Sequence, residues 1–173
     1  MGLVKKVKPV RLLVLDVDGV MTDGGIIYNA DGVETKVFNV RDGHGIKLLK
    51  RGGVECAVIT SRQSRALEYR TRELGIEIVH QGALDKITAY EDILKKTGLK
   101  PEETAFVGDD LVDLPVLRMA GFSAAVNDAV EEVKDEVDYV TVCPGGRGAV
   151  REVVEIILKI KGKWREVIGR YLG

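Results

Sequence analysis

The sequence predicts an α/β fold: a doubly wound, Rossmann-like parallel sheet with helices on both faces. Three observations predict it. Short unbroken apolar runs, Leu12, Leu13, Val14 and Leu15 foremost, read as strands covered on both sides. Amphipathic stretches bounded by capping and stop residues alternate with those runs along the chain. Three of the runs stop abruptly in polar residues, at Asp16/Asp18, at Thr60 and at Asp109/Asp110. The carboxyl ends of parallel strands are where open α/β sheets hold their ligands, so these residues should converge on one edge.

The elements follow in order. After Leu15 come Asp16, Val17, Asp18 and Gly19, a pair of carboxylates followed by a residue that turns tightly. Ile26, Ile27 and Tyr28, a polar Asn29–Gly32 turn, and residues 35–40 predict a protruding β-hairpin over about 24–40. A hairpin alone is marginal in water and needs a surface to pack on. Arg41, Asp42, Gly43, His44 and Gly45 read as a polar loop before a short helix that Gly52 and Gly53 end. Residues 56–60 form a second buried strand, residues 64–74 a helix closed by Gly75, and residues 76–79 a further strand. Asp85 is placed to cap a helix that opens at Lys86 and carries Ile87, Tyr90, Ile93 and Leu94 on one face. Residues 104–107 run as a strand into Gly108, Asp109 and Asp110, and Asp113 is placed to cap the helix that holds Pro115. Residues 122–126 and 139–142 are the last strands. A glycine-rich segment and one long helix, with Val150, Val153, Val154, Ile157 and Leu158 inward, fill about 144–173. With no linker or repeat, residues 1–173 read as a single domain.

Composition narrows the function. Lys plus Arg number 26 and Asp plus Glu 27, a net charge of -1, which argues against a nucleic-acid partner. No apolar run approaches the roughly 18 residues a membrane span needs. The basic start, Lys5, Lys6, Lys8 and Arg11, superficially suggests a signal peptide, but Asp16 and Asp18 interrupt its apolar segment. A cytoplasmic location follows as the expectation. Cys56 and Cys143 lack metal-type spacing and read as reduced thiols.

The order D-x-D-G at Asp16–Gly19, strand-end Thr60, Lys86 at a helix start and G-D-D-x-x-D from Gly108 to Asp113 resembles the four motifs of the haloacid dehalogenase superfamily of phosphohydrolases. Each motif is weak singly; their order and placement are specific. The resemblance implies that Asp16 attacks phosphorus to give an aspartyl phosphate, and that Asp18 protonates the leaving oxygen and later deprotonates water. It implies a Mg2+ cofactor held by the carboxylates of Asp16 and Asp109 and the backbone carbonyl of Asp18. Thr60 would bind a phosphoryl oxygen and Lys86 would offset charge. Independent physics agrees: an anionic nucleophile meets a phosphate dianion only where cations neutralise the charge. For Asp110 and Asp113, capping and orientation stand beside metal ligation.

The gaps between motifs leave no room for a cap domain. Nearly the whole chain resembles one capless branch, the 3-deoxy-D-manno-octulosonate 8-phosphate phosphatases, through Asp16–Val20, the hairpin, 38–43, 59–62, 108–113 and 145–152. That resemblance implies an acidic sugar phosphate as substrate and places Asp18, Asn39, Val40, Arg41, Asp42, Gly43, Lys47, Arg62, Arg70 and Lys86 about its pocket, with Lys47 standing where an arginine is common. Spacing lets Arg62 and Arg70 face one way along a helix toward a carboxylate. Arg147, in a glycine-rich segment free to approach a ligand, is a further candidate. The branch also implies a homotetramer in which hairpins meet at the centre and cover neighbouring sites. The rival readings are a sialic-acid-type 9-phosphate phosphatase and a non-catalytic oligomerisation module of the same fold.

Overall fold

The computed structural model describes residues 2–173, and its frame is a six-stranded parallel sheet. In chain order the strands are β1 (Leu12–Leu15), β4 (Glu55–Ile59), β5 (Ile78–His80), β6 (Thr104–Gly108), β7 (Phe122–Ala125) and β8 (Tyr139–Val140); β2 (Ile27–Tyr28) and β3 (Glu34–Thr35) stand apart as a two-stranded ribbon. The sheet order is β5-β4-β1-β6-β7-β8. Every residue of β1 is buried, because β4 and β6 flank it and helices cover both faces. Leu15 pairs with Val58 and Val107, so the three strands end within one residue of one another and their following residues emerge side by side.

Helices α2 (Val40–Arg51) and α7 (Ala149–Ile160) pack on each other, with α1 (Leu3–Val7) against α7 and α3 (Arg65–Leu74) against α2. Helices α4 (Lys86–Thr97) and α5 (Leu114–Met119) pack together, α4 against β4 and α5 against β6 and β7, and α6 (Glu131–Lys134) lies beside β7. Helix α7 buries Val150, Val153, Val154, Ile157 and Leu158, the inward stripe its spacing predicts. Both cysteines are free, Cys56 in the core. Among the described residues no helix is long and apolar enough to cross a membrane.

The structure corrects four local expectations. The hairpin ladder is only two residue pairs long, Ile27 with Thr35 and Tyr28 with Glu34, because Asn29 closes the turn early by accepting from Asp31 N and Val33 N. Arg41 to Gly45 are not a loop but the first turns of α2, started by Asn39, whose Oδ1 accepts from Arg41 N at 2.7 Å and Asp42 N at 3.4 Å. Its glycines serve packing: a Cβ on Gly43 would sit 2.2 Å from the Arg70 guanidinium, and one on Gly45 3.0 Å from the Arg151 stem. The terminal helix is broken at Gly162, which has φ +70°, and resumes as α8 (Trp164–Ile168). Asp85 and Asp113 occupy N-cap positions without making the side-chain bond; Asp85 accepts from the Thr88 hydroxyl instead.

Candidate active site

Asp16 follows β1, Thr60 follows β4 and Asp109 follows β6, so near-level strand ends bring all three to one edge. Lys86, the first residue of α4, points under them. Its ammonium donates to Asp16 Oδ1 and to Asp113 Oδ1, both at 2.7 Å, and its side chain is 3% exposed. A lysine buried this deeply requires such partners. Thr60 Oγ1 accepts from Arg62 N at 3.3 Å, which leaves its hydroxyl proton free to donate. A cavity of about 160 Å3 is lined by Asp16, Asp18, Thr60, Ser61, Arg62, Lys86, Asp109, Asp110 and Val112.

The loop that carries Asp16 and Asp18 is held to the Asp109 loop at contact distance. Gly19 has φ +91°, and a Cβ there would lie 2.0 Å from Asp109 Oδ2. Only glycine satisfies both the turn and the approach. The Gly145–Gly146 segment closes the same loop from the far side: a Cβ on Gly145 would meet Gly19 O at 1.7 Å, and Gly146 N donates to Val20 O at 2.9 Å. These glycines therefore approach protein backbone, a correction to the expectation that they approach a ligand. Arg147 beside them is largely exposed, 3.8 Å from Asp23 Oδ2.

Carboxylates of Asp16, Asp109 and Asp113 lie within 4.8 Å of one another. Burial, then repulsion from Asp113, pushes Asp16 up to about 6 against the pull of Lys86. Burial and the charge of Asp16 push Asp109 up to about 8. Burial works against the Lys86 ammonium, but its two carboxylates outweigh it and hold the group above its ordinary value. A set of hard oxygen donors carrying more negative charge than its one ammonium neutralises fits a small divalent cation such as Mg2+. Asp113 is already engaged: Oδ2 accepts from Asp109 N at 2.9 Å and Asp110 N at 3.3 Å, Oδ1 from Lys86. It orients the loop, while Asp16 and Asp109 keep oxygens for a cation. Asp110 caps the following turn through Leu111 N.

The hairpin contributes residues that sequence reasoning missed. Lys36 donates to Asp18 Oδ1 and lies 3.4 Å from Glu34 Oε1. Arg62 donates to Glu34 Oε1 at 2.8 Å and to Tyr28 Oη at 2.9 Å. The alternation of the strand, with apolar side chains outward and Glu34 and Lys36 inward, is the only sequence signal that pointed to them. Ile26, Ile27, Val33 and Val37 remain on the exposed side.

The remaining candidates are scattered. Arg62 and Arg70 do not share a direction, because Ser64 is extended (φ -149°) and α3 begins only at Arg65. Arg70 instead donates to Asn39 O at 3.0 Å, covers the Phe38 ring and lines a second cavity of about 170 Å3 with Val40, Gly43, His44 and Lys47. Asp42 accepts from Gly148 N at 3.2 Å and Arg151 N at 2.8 Å, tying α2 to the start of α7. Asn39 donates to Gly146 O at 3.3 Å, and Arg41 is exposed.

A parallel sheet whose central strand ends in two aspartates, completed by a buried lysine and a third strand-end aspartate, defines a haloacid dehalogenase-like hydrolase. A family model of that description matches residues 69–151. The chain is 46% identical over 167 residues, 96% of its length and 89% of the relative's, to the 3-deoxy-D-manno-octulosonate 8-phosphate phosphatase KdsC of Escherichia coli strain K12. It superposes at TM-score 0.96 and 43% identity, covering 98% of itself and 97% of the other chain, on the Moraxella catarrhalis phosphatase of the same name solved with magnesium, phosphate and KDO. The Yersinia pestis phosphatase gives TM-score 0.92 at 45% identity, with 93% and 87% covered. The chain belongs to the 3-deoxy-D-manno-octulosonate 8-phosphate phosphatase family.

Proposed function

We propose that the chain is a magnesium-dependent phosphatase that hydrolyses 3-deoxy-D-manno-octulosonate 8-phosphate to the free sugar acid and inorganic phosphate. The observation that carries it is the triad of Asp16, Lys86 and Asp113 at 2.7 Å contacts, with Asp109 alongside, in a chain aligned almost end to end with phosphatases of that name. Asp16 and Asp109, with the Asp18 carbonyl, would hold the ion, which when bound supplies positive charge to the phosphoryl group.

On this reading Asp16 attacks phosphorus, the P–O ester bond breaks and Asp18 gives its proton to the departing sugar oxygen. Asp18 then takes a proton from the water that releases phosphate from Asp16. Thr60 donates to a phosphoryl oxygen. Lys86 holds Asp16 ionised and aimed, and offsets the arriving dianion. Arg62, at the rim, meets the sugar acid, and Asn39, Val40, Arg41, Asp42, Gly43, Lys47, Arg70 and Arg147 are the outer candidates.

The chain acts as one capless domain in the cytoplasm. Ile26, Ile27, Val33 and Val37 give the hairpin an exposed apolar face, which supports assembly into a homotetramer through four such hairpins. Ile27→Asp with Val37→Asp should dissociate it, read by light scattering; a wild type that scatters as a monomer would refute the assembly. Turnover of a panel of sugar phosphates, including a sialic-acid-type 9-phosphate, with magnesium and with chelator, tests the function. The 8-phosphate should have the highest kcat/KM, and chelator should abolish it. Undiminished activity in chelator, or a better 9-phosphate, would overturn the reading.

A further inference from the structure

We propose that Lys36 is the positioning residue for Asp18, fixing one carboxylate oxygen so that the other faces the oxygen that leaves with the sugar. The inference rests on the phosphatase reading and deepens it. Lys36 directly follows β3, yet while its neighbours Thr35 and Val37 are exposed, its own side chain is only 2% exposed. Its ammonium donates to Asp18 Oδ1, and Glu34, 3.4 Å away, holds it from the other side. A lysine withdrawn from water needs both carboxylates, so its position is narrowly defined.

Among the described residues Lys36 makes the only hydrogen bond to the Asp18 side chain. Its Oδ2 is buried and unbonded, and so is Arg62 Nε, 3.9 Å away. That separation is too long for a direct hydrogen bond. An oxygen that parts them on binding would accept from Arg62 Nε and take a proton from Asp18 Oδ2. The ester oxygen has that requirement: as the Asp16–phosphorus bond forms and the P–O bond breaks, the electron pair stays on the sugar oxygen and the proton of Asp18 joins it. Arg62 is held for this by Tyr28 and Glu34, both of the hairpin. The hairpin therefore carries a polar inner face that orients the acid as well as an apolar outer one.

The test compares an alkyl phosphate with p-nitrophenyl phosphate, whose leaving group departs without a proton. Lys36→Met should lower kcat/KM for the sugar phosphate by about tenfold or more. The loss on p-nitrophenyl phosphate should be at least about tenfold smaller, the inhibition constant of inorganic phosphate unchanged, and Lys36→Arg should recover most of the rate. Equal losses on both substrates, or a loss carried by KM and weaker phosphate inhibition, would overturn the proposal and assign Lys36 to binding or to hairpin folding. Any alkyl phosphate that the wild type hydrolyses serves the comparison. A wild type that prefers another sugar phosphate would overturn the substrate reading while leaving Lys36 to be judged by the same ratio.

Discussion

Replacing Lys86 by Met keeps the length of the stem and deletes the charge. In the native site Nζ lies 2.7 Å from both Asp16 Oδ1 and Asp113 Oδ1, with side chains 3%, 7% and 0% exposed. Removing one partner from a buried ion pair costs about 3–5 kcal/mol, because the charge left behind is neither solvated nor paired. Two carboxylates are left here, so the variant should fall in the upper half of that range at about pH 8 without magnesium. The deficit should shrink toward about pH 5. An aspartate whose folded pKa is raised holds a proton that the unfolded chain has released, so stability falls as pH rises from the unfolded value to the folded one. Asp16, raised from 3.8 to about 6 with Lys86 present, would be raised further without it, and protonation at low pH removes the unpaired charge. The ammonium itself stays charged across this range: its folded pKa lies above 10.5, so its contribution is lost only in stronger alkali. Urea unfolding in chelator at about pH 5 and about pH 8 measures the deficit, and turnover with magnesium should drop about 10²–10³-fold. A deficit under about 1 kcal/mol at the higher pH, or one of equal size at both, would refute the reasoning.

Magnesium binding should release a proton near neutrality, because Asp109 is raised to about 8 by burial and by Asp16; calorimetry in two buffers should show it, with apparent affinity strengthening about tenfold per pH unit below that value. Asp16→Asn should cut turnover by at least about a thousandfold with the circular dichroism spectrum unchanged; more residual activity counts against a nucleophilic role. Asp42→Ala leaves Gly148 N and Arg151 N without their acceptor and should cost about 2 kcal/mol in chemical unfolding, a loss that an unchanged midpoint would contradict. Gly145→Ala drives a Cβ to 1.7 Å from Gly19 O, so the Asp16–Gly19 loop must shift and kcat should fall; full activity would mean that the loop has slack.

The parallel sheet and the edge where the candidate residues gather were legible because local signals agreed with the global answer. Leu12 to Leu15 could only be a strand buried on both faces, and the acidic residues that stop it could only emerge at its carboxyl end. Thr60 and Asp109 follow equivalent strands, so level pairing alone brings them together. Glycine misled twice. Gly43 and Gly45 read as loop residues because local propensity disfavours them in helices, whereas in the fold they give Arg70 and Arg151 room to pack closely against the helix.

By itself the sequence determined which residues meet at the sheet's carboxyl edge, since the carboxylates, the lysine and the strand ends that hold them are adjacent to strong local patterns. Only the tertiary structure decided how the outer residues divide. It tied Asp42 to α7, turned Arg70 onto Phe38 and away from Arg62, and folded Lys36 and Glu34 inward over Asp18. The physical reason is range. A strand's burial is written in consecutive residues, while the partner of an arginine or lysine on a surface loop is set by where a distant element places a carboxylate or a carbonyl.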